Sequence, residues 1–375
     1  MIFYFSLYLI PGFFLLNFFN KNNYINVIFW RSCFLTFLFF VGFKYGLNDW
    51  YLYEILYENF LRGNLINFND SSFLFLIILK IFSYYNINFH LVMFFFSFIS
   101  LFILFYVADS YENPWLIIVL SIPLLIVMLY MGFIRQGLAV SFILLSIQSL
   151  IKKKNIKSFF LIFLASSFHI SAIVFSFLII SQFSFSIILN KILYYLSIIL
   201  ISLILIVYFN SGYIERSIFF YAGIGNYFQS SGFYFRFILN VLPIVIYFYF
   251  YQNLIFSDIE KRIITLLVIF SLFLVPCSFL FSTLADRLNY YLVPLQFIIY
   301  SKFYVYCKNK NIENLFSIYI LSLSFFTLVG WFILGTTSNA WLPYKFNVNL
   351  FKDSTFLGKD VELCGQYMSD CLPDY

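Results

Sequence analysis

The sequence has few charged residues and few of the side chains from which metal and nucleophile sites are built. Only 10% of its 375 residues are charged, and it contains two histidines and five cysteines. None of the cysteines and histidines has the spacing of a zinc site, and no clear acidic cluster marks a divalent metal site. These absences exclude a sizeable soluble domain and a structural zinc centre.

Apolar residues take the place of the missing charge. They make up 63% of the chain, compared with about 45–50% in an ordinary soluble domain. The net charge of +6 comes from basic residues in short runs between apolar segments, where positive charge retains loops in the cytoplasm. The lipid bilayer is therefore the expected partner, and nucleic acid is not. The sequence predicts an all-α polytopic integral membrane protein.

The apolar segments predict about twelve membrane crossings with both ends of the chain outside the cell. The first segment has no basic residue before it and no small-residue cleavage site, which predicts a retained helix and not a signal peptide. We expect one transmembrane domain over 1–335, outer loops at 44–88 and 210–235, an outer turn at 284–287, and an external tail at 336–375. The predicted crossings with their own bounds are 2–19, 27–43, 89–108, 115–131, 136–151, 187–209, 237–251 and 315–334.

Two segments are assigned by the requirement that the lysine-rich turns all face the cytoplasm. The four lysines between 152 and 157 fall inside only if 71–86 lies on the outer surface as an interfacial helix. Segments 257–262 and 302–314 fall inside only if 158–180 is a hairpin of two short helices that turns at 165–169. His169 is then expected inside the membrane, where irregular backbone requires a protein-lined or wet cavity.

A few ionisable residues interrupt the apolar pattern and are the first candidates for chemistry. Charges buried in a membrane are rare and usually functional. The predicted topology brings Asp49, Arg135, His169 and Arg287 to the outer side, and Gly137 allows a close approach of the backbone. For three of these residues a structural role stays open as an alternative. Arg135 would extend to the lipid headgroups, His169 would make a hydrogen bond between helices, and Arg287 would pair with its neighbour Asp286.

The first outer loop has the densest polar content in the first half of the chain. It carries Asp49, Glu54 and Glu58 among tyrosines, and the two glutamates share a helix face because they are four residues apart. The alternative is a solvated interfacial loop with an aromatic belt. His90, at the start of the next segment, is expected to be an interface residue. In the tail, the sequence leaves open whether Cys364 and Cys371 form a disulfide.

These motifs, in this order, resemble the EpsG family. The match rests on Gly46, Asp49, Tyr51 and Tyr53, on Arg135 to Ala139, and on Ala165, Phe168, His169, Ser171 and Ala172, with weaker support from Asp286-Arg287, Tyr290, Tyr291 and Pro343-Tyr344. The resemblance implies a polysaccharide polymerase of the Wzy type, a membrane glycosyltransferase with a GT-C-like architecture. In that architecture an acid in the first outer loop is followed by an interfacial helix.

The resemblance also implies the substrates and the roles of the candidate residues. Polyprenyl-diphosphate-linked glycans would serve as donor and acceptor on the outer side of the bacterial cytoplasmic membrane, with a chain-length regulator as a further partner. Asp49 is the expected base, and Arg135 and Arg287 are expected to stabilise the departing diphosphate. His169 would bind the diphosphate or donate a proton. The predicted substrate-binding residues are Arg135, Gln136, Arg287, Tyr53, Glu54 and Tyr290. No cofactor is required, although a divalent ion bridging the diphosphate stays open.

Two other functions also place cations in a membrane. A flippase for lipid-linked oligosaccharide would more often show internal repeats, and none is visible in this sequence. A membrane acyltransferase would also use a membrane histidine, with an acidic partner close to it in the sequence. The sugars, the linkage and the stereochemistry at the anomeric carbon are not encoded in any motif.

Overall fold

A computed structural model describes residues 1–16, 23–63, 72–182, 232–335 and 338–346 of the protein. In these ranges the regular structure is helical, apart from one antiparallel backbone bridge between Lys44 and Phe346. The expected all-α class is confirmed. The predicted crossing at 187–209, most of the second outer loop and the pair Cys364 and Cys371 lie outside the described residues.

We number the α-helices of the described ranges in the order in which they follow one another along the chain. Three 3₁₀ segments, at Ile170–Gln182, Tyr290–Leu292 and Ser338–Trp341, interrupt the series. The α-helices are α1 (Ile2–Ser6), α2 (Leu9–Leu15), α3 (Asn23–Gly42), α4 (Trp50–Leu61), α5 (Phe73–Tyr84), α6 (Phe89–Ala108), α7 (Pro114–Ser121), α8 (Ile134–Ile151), α9 (Asn155–Phe168), α10 (Gly232–Tyr249), α11 (Asp258–Leu280), α12 (Ser282–Asn289), α13 (Val293–Asn309) and α14 (Glu313–Leu334).

Six helices of the described ranges are long and apolar enough to cross a membrane, namely α3, α6, α8, α10, α11 and α14. Shorter apolar helices lie between them. The bounds of α6 coincide with the predicted crossing at 89–108, and the others differ by a few residues. The total of about twelve crossings and the GT-C-like architecture stay predictions.

The predicted first crossing at 2–19 is instead two short helices in its described part. Pro11 has no N–H to donate to the carbonyl of Leu7, and its ring would clash with that carbonyl in a continuous helix. The chain turns at Leu7 and Tyr8, and α2 begins at Leu9. Pro11, which lies in the first turn of α2, therefore divides the predicted crossing into two helices.

A proline also changes the helix that follows α6. After α7 the chain continues as a π-helix over Ile122–Tyr130, with Pro123 in its first turn. Pro123 cannot donate to the carbonyl of Val119, and the hydroxyl of Ser324 on α14 donates to that oxygen at 2.6 Å. Such wide turns occur mostly at functional sites. This one ends four residues before Ile134, where α8 begins.

The segment predicted to form a hairpin does reverse direction at His169. His169 is extended (φ −153°, ψ 115°) between α9 and the 3₁₀ helix Ile170–Gln182. Gln182 Nε2 donates to the carbonyl of Leu150 at 2.9 Å, close to where α9 begins at Asn155. The two arms therefore start and finish at the same end of the molecule, and His169 lies at the opposite end.

Ion pairs identify one end of the molecule, which we call the lysine end. Glu260 pairs with Lys302 at 3.2 Å, and Glu112 pairs with Lys308 at 3.7 Å. The loops predicted to face the cytoplasm therefore do meet. The predicted turns are shorter than expected, because α11 starts at Asp258 behind a cap from Ser257 and α13 runs on to Asn309. The predicted outer turn at 284–287 is helical as well, within α12.

The interfacial helix predicted at 71–86 is α5, which has 12 residues. At about 1.5 Å per residue it is about 18 Å long, too short to cross a bilayer. Phe75, Leu76 and Leu79 are buried, whereas Lys80 on the other face is exposed. The helix packs against α4 and α9, at the end of the molecule that carries the candidate site.

Candidate active site

Four ionisable side chains from distant parts of the chain meet at the end opposite the lysine end. Asp49 interacts electrostatically with both Arg135 and Arg287, and His169 interacts with the same two arginines. All four are partly accessible, although most of the residues next to them are buried. They therefore form one polar group of side chains, which we call the charged cluster.

Asp49 is presented to the cluster by a tight turn before α4. Gly46 and Asn48 both have positive φ (66° and 44°), which glycine and asparagine tolerate best. The Asp49 carboxylate accepts hydrogen bonds from Asn48 Nδ2 at 3.0 Å and from the Tyr53 hydroxyl at 3.1 Å. Burial raises the pKa of Asp49, although both arginines and the Tyr53 hydroxyl act to lower it. The carboxyl is thus a stronger base than an exposed aspartate.

Arg135, in the first turn of α8, points into the protein. One of its guanidinium nitrogens donates to Ser72 Oγ at 2.9 Å, and its Cζ lies 5.3 Å from the centre of the Tyr53 ring and 6.0 Å from that of Phe75. An arginine that extended to lipid headgroups would not make these contacts with α4 and α5. Tyr53 therefore touches both the carboxylate and a cation of the charged cluster.

Gln136 supports the cluster from behind. Its Nε2 donates to the backbone carbonyl of Arg287 at 2.7 Å, and only 4% of the residue is exposed. The sequence analysis placed Gln136 among the substrate-binding residues. In the structure its amide holds α12 against α8, and its role in substrate binding stays a prediction.

Asp286 forms a buried ion pair with Arg236 of α10, a residue that the sequence analysis overlooked. Arg236 Nε lies 2.5 Å from Asp286 Oδ1, and a second guanidinium nitrogen contacts Oδ2. Consecutive residues on a helix point about 100° apart, so Asp286 and Arg287 face different neighbours. Arg236 stands one residue before the predicted crossing at 237–251, and an arginine so close to an apolar segment was the available signal.

His169 is linked to a tyrosine through a serine. Its Nδ1 lies 2.7 Å from Ser171 Oγ, which lies 3.0 Å from the hydroxyl of Tyr291. The sequence analysis named the preceding residue, Tyr290, for substrate binding. Tyr290 is buried beneath the Arg236 guanidinium at 5.2 Å, and its hydroxyl donates to Met128 Sδ at 3.7 Å. Tyr291, and not Tyr290, is therefore the tyrosine that is hydrogen-bonded to the histidine through Ser171.

The remaining acidic candidates lie further along α4. Glu58 forms an exposed pair with Arg62 at 3.4 Å. Burial and the neighbouring charge of Glu58 raise the pKa of Glu54 to about 7. His90 lies beside the rings of Trp50 (5.4 Å) and Tyr45 (5.9 Å). Within the described ranges, no three His, Cys, Asp or Glu side chains are grouped as a metal site would require.

The arrangement combines a base with a binding site for an anion. A partly buried carboxylate of raised pKa can accept a proton from a hydroxyl group. The two guanidinium groups beside it offer rigid, permanently charged donors that match phosphate oxygens.

The family comparison covers the part of the chain that contains these residues. A family model described as the EpsG family matches residues 27–346, most of the chain and all four members of the charged cluster. No curated protein and no solved structure matches the chain.

Proposed function

The chain belongs to the EpsG family, and from that premise we propose that it is a membrane glycosyltransferase that polymerises polyprenyl-diphosphate-linked oligosaccharides. Repeat units would be joined into a surface polysaccharide on the outer side of the bacterial cytoplasmic membrane. The observation that supports this proposal most directly is the charged cluster, where one partly buried carboxylate interacts with two arginines.

The proposed reaction breaks one bond and forms one bond at the anomeric carbon of the donor. Asp49 takes the proton of the acceptor hydroxyl, whose oxygen forms the new glycosidic bond. The bond between the anomeric carbon and the diphosphate oxygen breaks, and the diphosphate leaves with its electron pair. Arg135 and Arg287 stabilise the charge that develops on it. A base of raised pKa suits this role because its basicity is greater at the pH of the reaction.

The surroundings of the cluster suit lipid-linked substrates. The apolar helices beside it would accommodate the prenyl chain. Tyr53 is buried against Arg135 and holds the arginine beside the Asp49 carboxylate. The bilayer, the two lipid-linked glycans and a chain-length regulator are the proposed partners.

The environment of His169 favours this proposal over an acyltransferase. An acyltransferase histidine that acts as a general base would be expected to have a carboxylate as its hydrogen-bond partner. Here Nδ1 is bonded to the hydroxyl of Ser171, and the charges that act on the ring come from two arginines. Such a histidine is suited to binding an anion.

The proposal is tested with purified protein in lipid nanodiscs and a synthetic polyprenyl-diphosphate-linked repeat unit. We expect a ladder of polymer lengths on a gel, produced without any membrane-enclosed compartment. A flippase would produce no ladder in this assay. A wild-type protein that binds the repeat unit and never extends it would contradict the proposal.

Asp49→Asn provides the sharpest variant for the same assay. It should lose the ladder and still bind the donor, because the amide keeps the shape of the side chain and cannot accept the proton. Glu58→Gln is the matched control, since it removes a carboxylate from the same helix where it pairs with Arg62. A normal ladder from Asp49→Asn would assign the base to another residue.

A further inference from the structure

Three side chains form a chain of hydrogen bonds that ends at the charged cluster. Tyr291 lies in the 3₁₀ segment after α12, and its side chain is fully buried. Its hydroxyl is 3.0 Å from Ser171 Oγ, which is 2.7 Å from Nδ1 of His169. The other ring nitrogen, Nε2, makes no hydrogen bond within the described part of the chain, and the histidine is partly accessible.

The direction of these bonds follows from counting protons. If His169 Nδ1 carried a proton, it would donate to Ser171, whose hydroxyl can accept from two donors but has only one proton of its own to donate. Either the Tyr291 proton or the Ser171 proton would then have no acceptor among the described residues, which folded proteins avoid. If Tyr291 donates to Ser171 and Ser171 donates to Nδ1, every proton in the chain has an acceptor.

The electrostatics disfavour the doubly protonated form. A histidine with protons on both nitrogens carries a positive charge, and the two arginines of the cluster oppose a third cation beside them. The neutral ring that accepts at Nδ1 must carry its single proton on Nε2. That N–H belongs to the part of the ring that has no protein partner in the described residues.

We infer that Tyr291 and Ser171 are positioning residues that fix His169 as the tautomer protonated on Nε2, so that this N–H joins Arg135 and Arg287 in binding an anionic oxygen of the substrate. The identity of that oxygen as part of a diphosphate rests on the proposed function, whereas the tautomer does not. His169 is then a fixed hydrogen-bond donor and not a group that changes charge during the reaction.

The tautomer is measured by ¹⁵N NMR of histidine-labelled full-length protein in nanodiscs. The chain has only two histidines, and the His90→Gln variant assigns their signals. We expect a proton-bearing Nε2 and a bare, hydrogen-bonded Nδ1 for His169. A proton on Nδ1 would overturn the inference whether or not the protein makes polymer.

Variants along the chain of hydrogen bonds test its role. Ser171→Ala and Tyr291→Phe should each produce a mixture of the two tautomers, whereas Ser171→Thr, which keeps the hydroxyl, should retain the single form. Tyr300→Phe is the matched control, because it removes a buried phenol oxygen from α13, on the helix that carries Lys302. An unchanged single tautomer in Ser171→Ala would show that the serine does not set it.

The anion is tested with inorganic pyrophosphate as the probe. Its addition should shift the Nε2–H signal of the wild-type protein, and Ser171→Ala should weaken its apparent affinity by about three- to tenfold, the usual effect of one hydrogen bond. If pyrophosphate leaves the signal unmoved, His169 is not an anion donor. If the signal moves but no polymer forms in the nanodisc assay, the donor role stands and only the proposed polymerisation fails.

Discussion

At the scale of single residues, Asp49 shows how opposing effects are resolved. Removal from water disfavours the charged carboxylate, whereas two arginines and the Tyr53 hydroxyl favour it. The first effect is the larger, so the pKa of Asp49 lies above the ordinary value of 3.8. A base that the cations fully neutralised would be a poor acceptor for a proton. A partial balance of this kind is what the proposed role of Asp49 as a base requires.

This environment predicts the pH dependence of the reaction. Asp49 accepts a proton only when it is ionised, so kcat/KM should rise with pH through a value above the ordinary aspartate range and then level off. The same rise of kcat/KM with pH should be seen in Glu54→Gln. We would measure kcat/KM for the purified protein from about pH 4 to about pH 9, because this interval covers the titration of carboxyl groups of raised pKa. If kcat/KM instead rises near pH 7, and this rise disappears in Glu54→Gln, the base is Glu54, whose pKa is raised by burial to about 7.

At the scale of elements, buried polar contacts fix the position of the short helix α12. Arg236 on α10 pairs with Asp286, and Asn240 Nδ2 donates to Asn289 Oδ1 at 2.7 Å. Gln296 on α13 donates to Asn240 at 2.8 Å. Together with the bond from α8 to the Arg287 carbonyl, these contacts hold α12 on two sides. Arg287 is thereby oriented by two neighbouring helices, α8 and α10, and α13 supports α10.

The ion pair between α10 and α12 predicts an asymmetric response to mutation. Arg236→Met leaves the buried charge of Asp286 without its partner and should lower the free energy of unfolding by about 3–5 kcal/mol. The double variant Arg236→Met with Asp286→Leu should recover most of that loss, because no buried charge is left unpaired. Unfolding by SDS titration measures both. Equal losses in the single and double variants would show that the guanidinium stabilises α10 through other contacts.

The end of the π-helix is held by side chains from two other parts of the chain. The buried amine of Lys44 donates to the carbonyl of Tyr130, and Trp341 Nε1 donates to the carbonyl of Val127 at 3.1 Å. Trp341 fills the space beside Gly132, so that any side chain at that glycine would collide with the indole ring. These contacts secure the segment that leads into Arg135.

At the scale of the whole molecule, charge is separated between two ends. The lysine end carries the exposed basic turn at 152–154 and the surface ion pairs. The opposite end carries the charged cluster, the short helix α5 and the hairpin turn at His169. Positive charge on the cytoplasmic side is the general rule, so the orientation that we propose has the cluster on the outer side of the membrane.

The orientation is tested by cysteine labelling in intact cells, in a background from which the five native cysteines have been removed. Ser167→Cys, next to the hairpin turn, should react with a membrane-impermeant maleimide added from outside. Lys154→Cys, at the start of the same hairpin, is the control and should react only after permeabilisation. Labelling of Ser167→Cys only from the cytoplasmic side would reverse the assigned topology.

Much of this protein was determined by the sequence alone. The length and apolarity of the segments specify the helices because a bilayer has a set thickness, as the coincidence of α6 with its predicted bounds illustrates. The requirement that basic turns share one side predicted the interfacial helix and the hairpin. The energetic cost of a buried charge singled out Arg135 and His169. These properties can be read from the sequence, because each depends on local composition or on whether the number of membrane crossings between two segments is odd or even.

Only the tertiary structure decided which side chains are partners. The pairing of Asp286 with Arg236 and the use of Tyr291 where Tyr290 had been expected both depend on side-chain direction, which turns by about 100° with each residue of a helix. Gln136 became a support for α12 for the same reason. Such directions are set by how the helices pack against one another, over distances in sequence that a local pattern does not record.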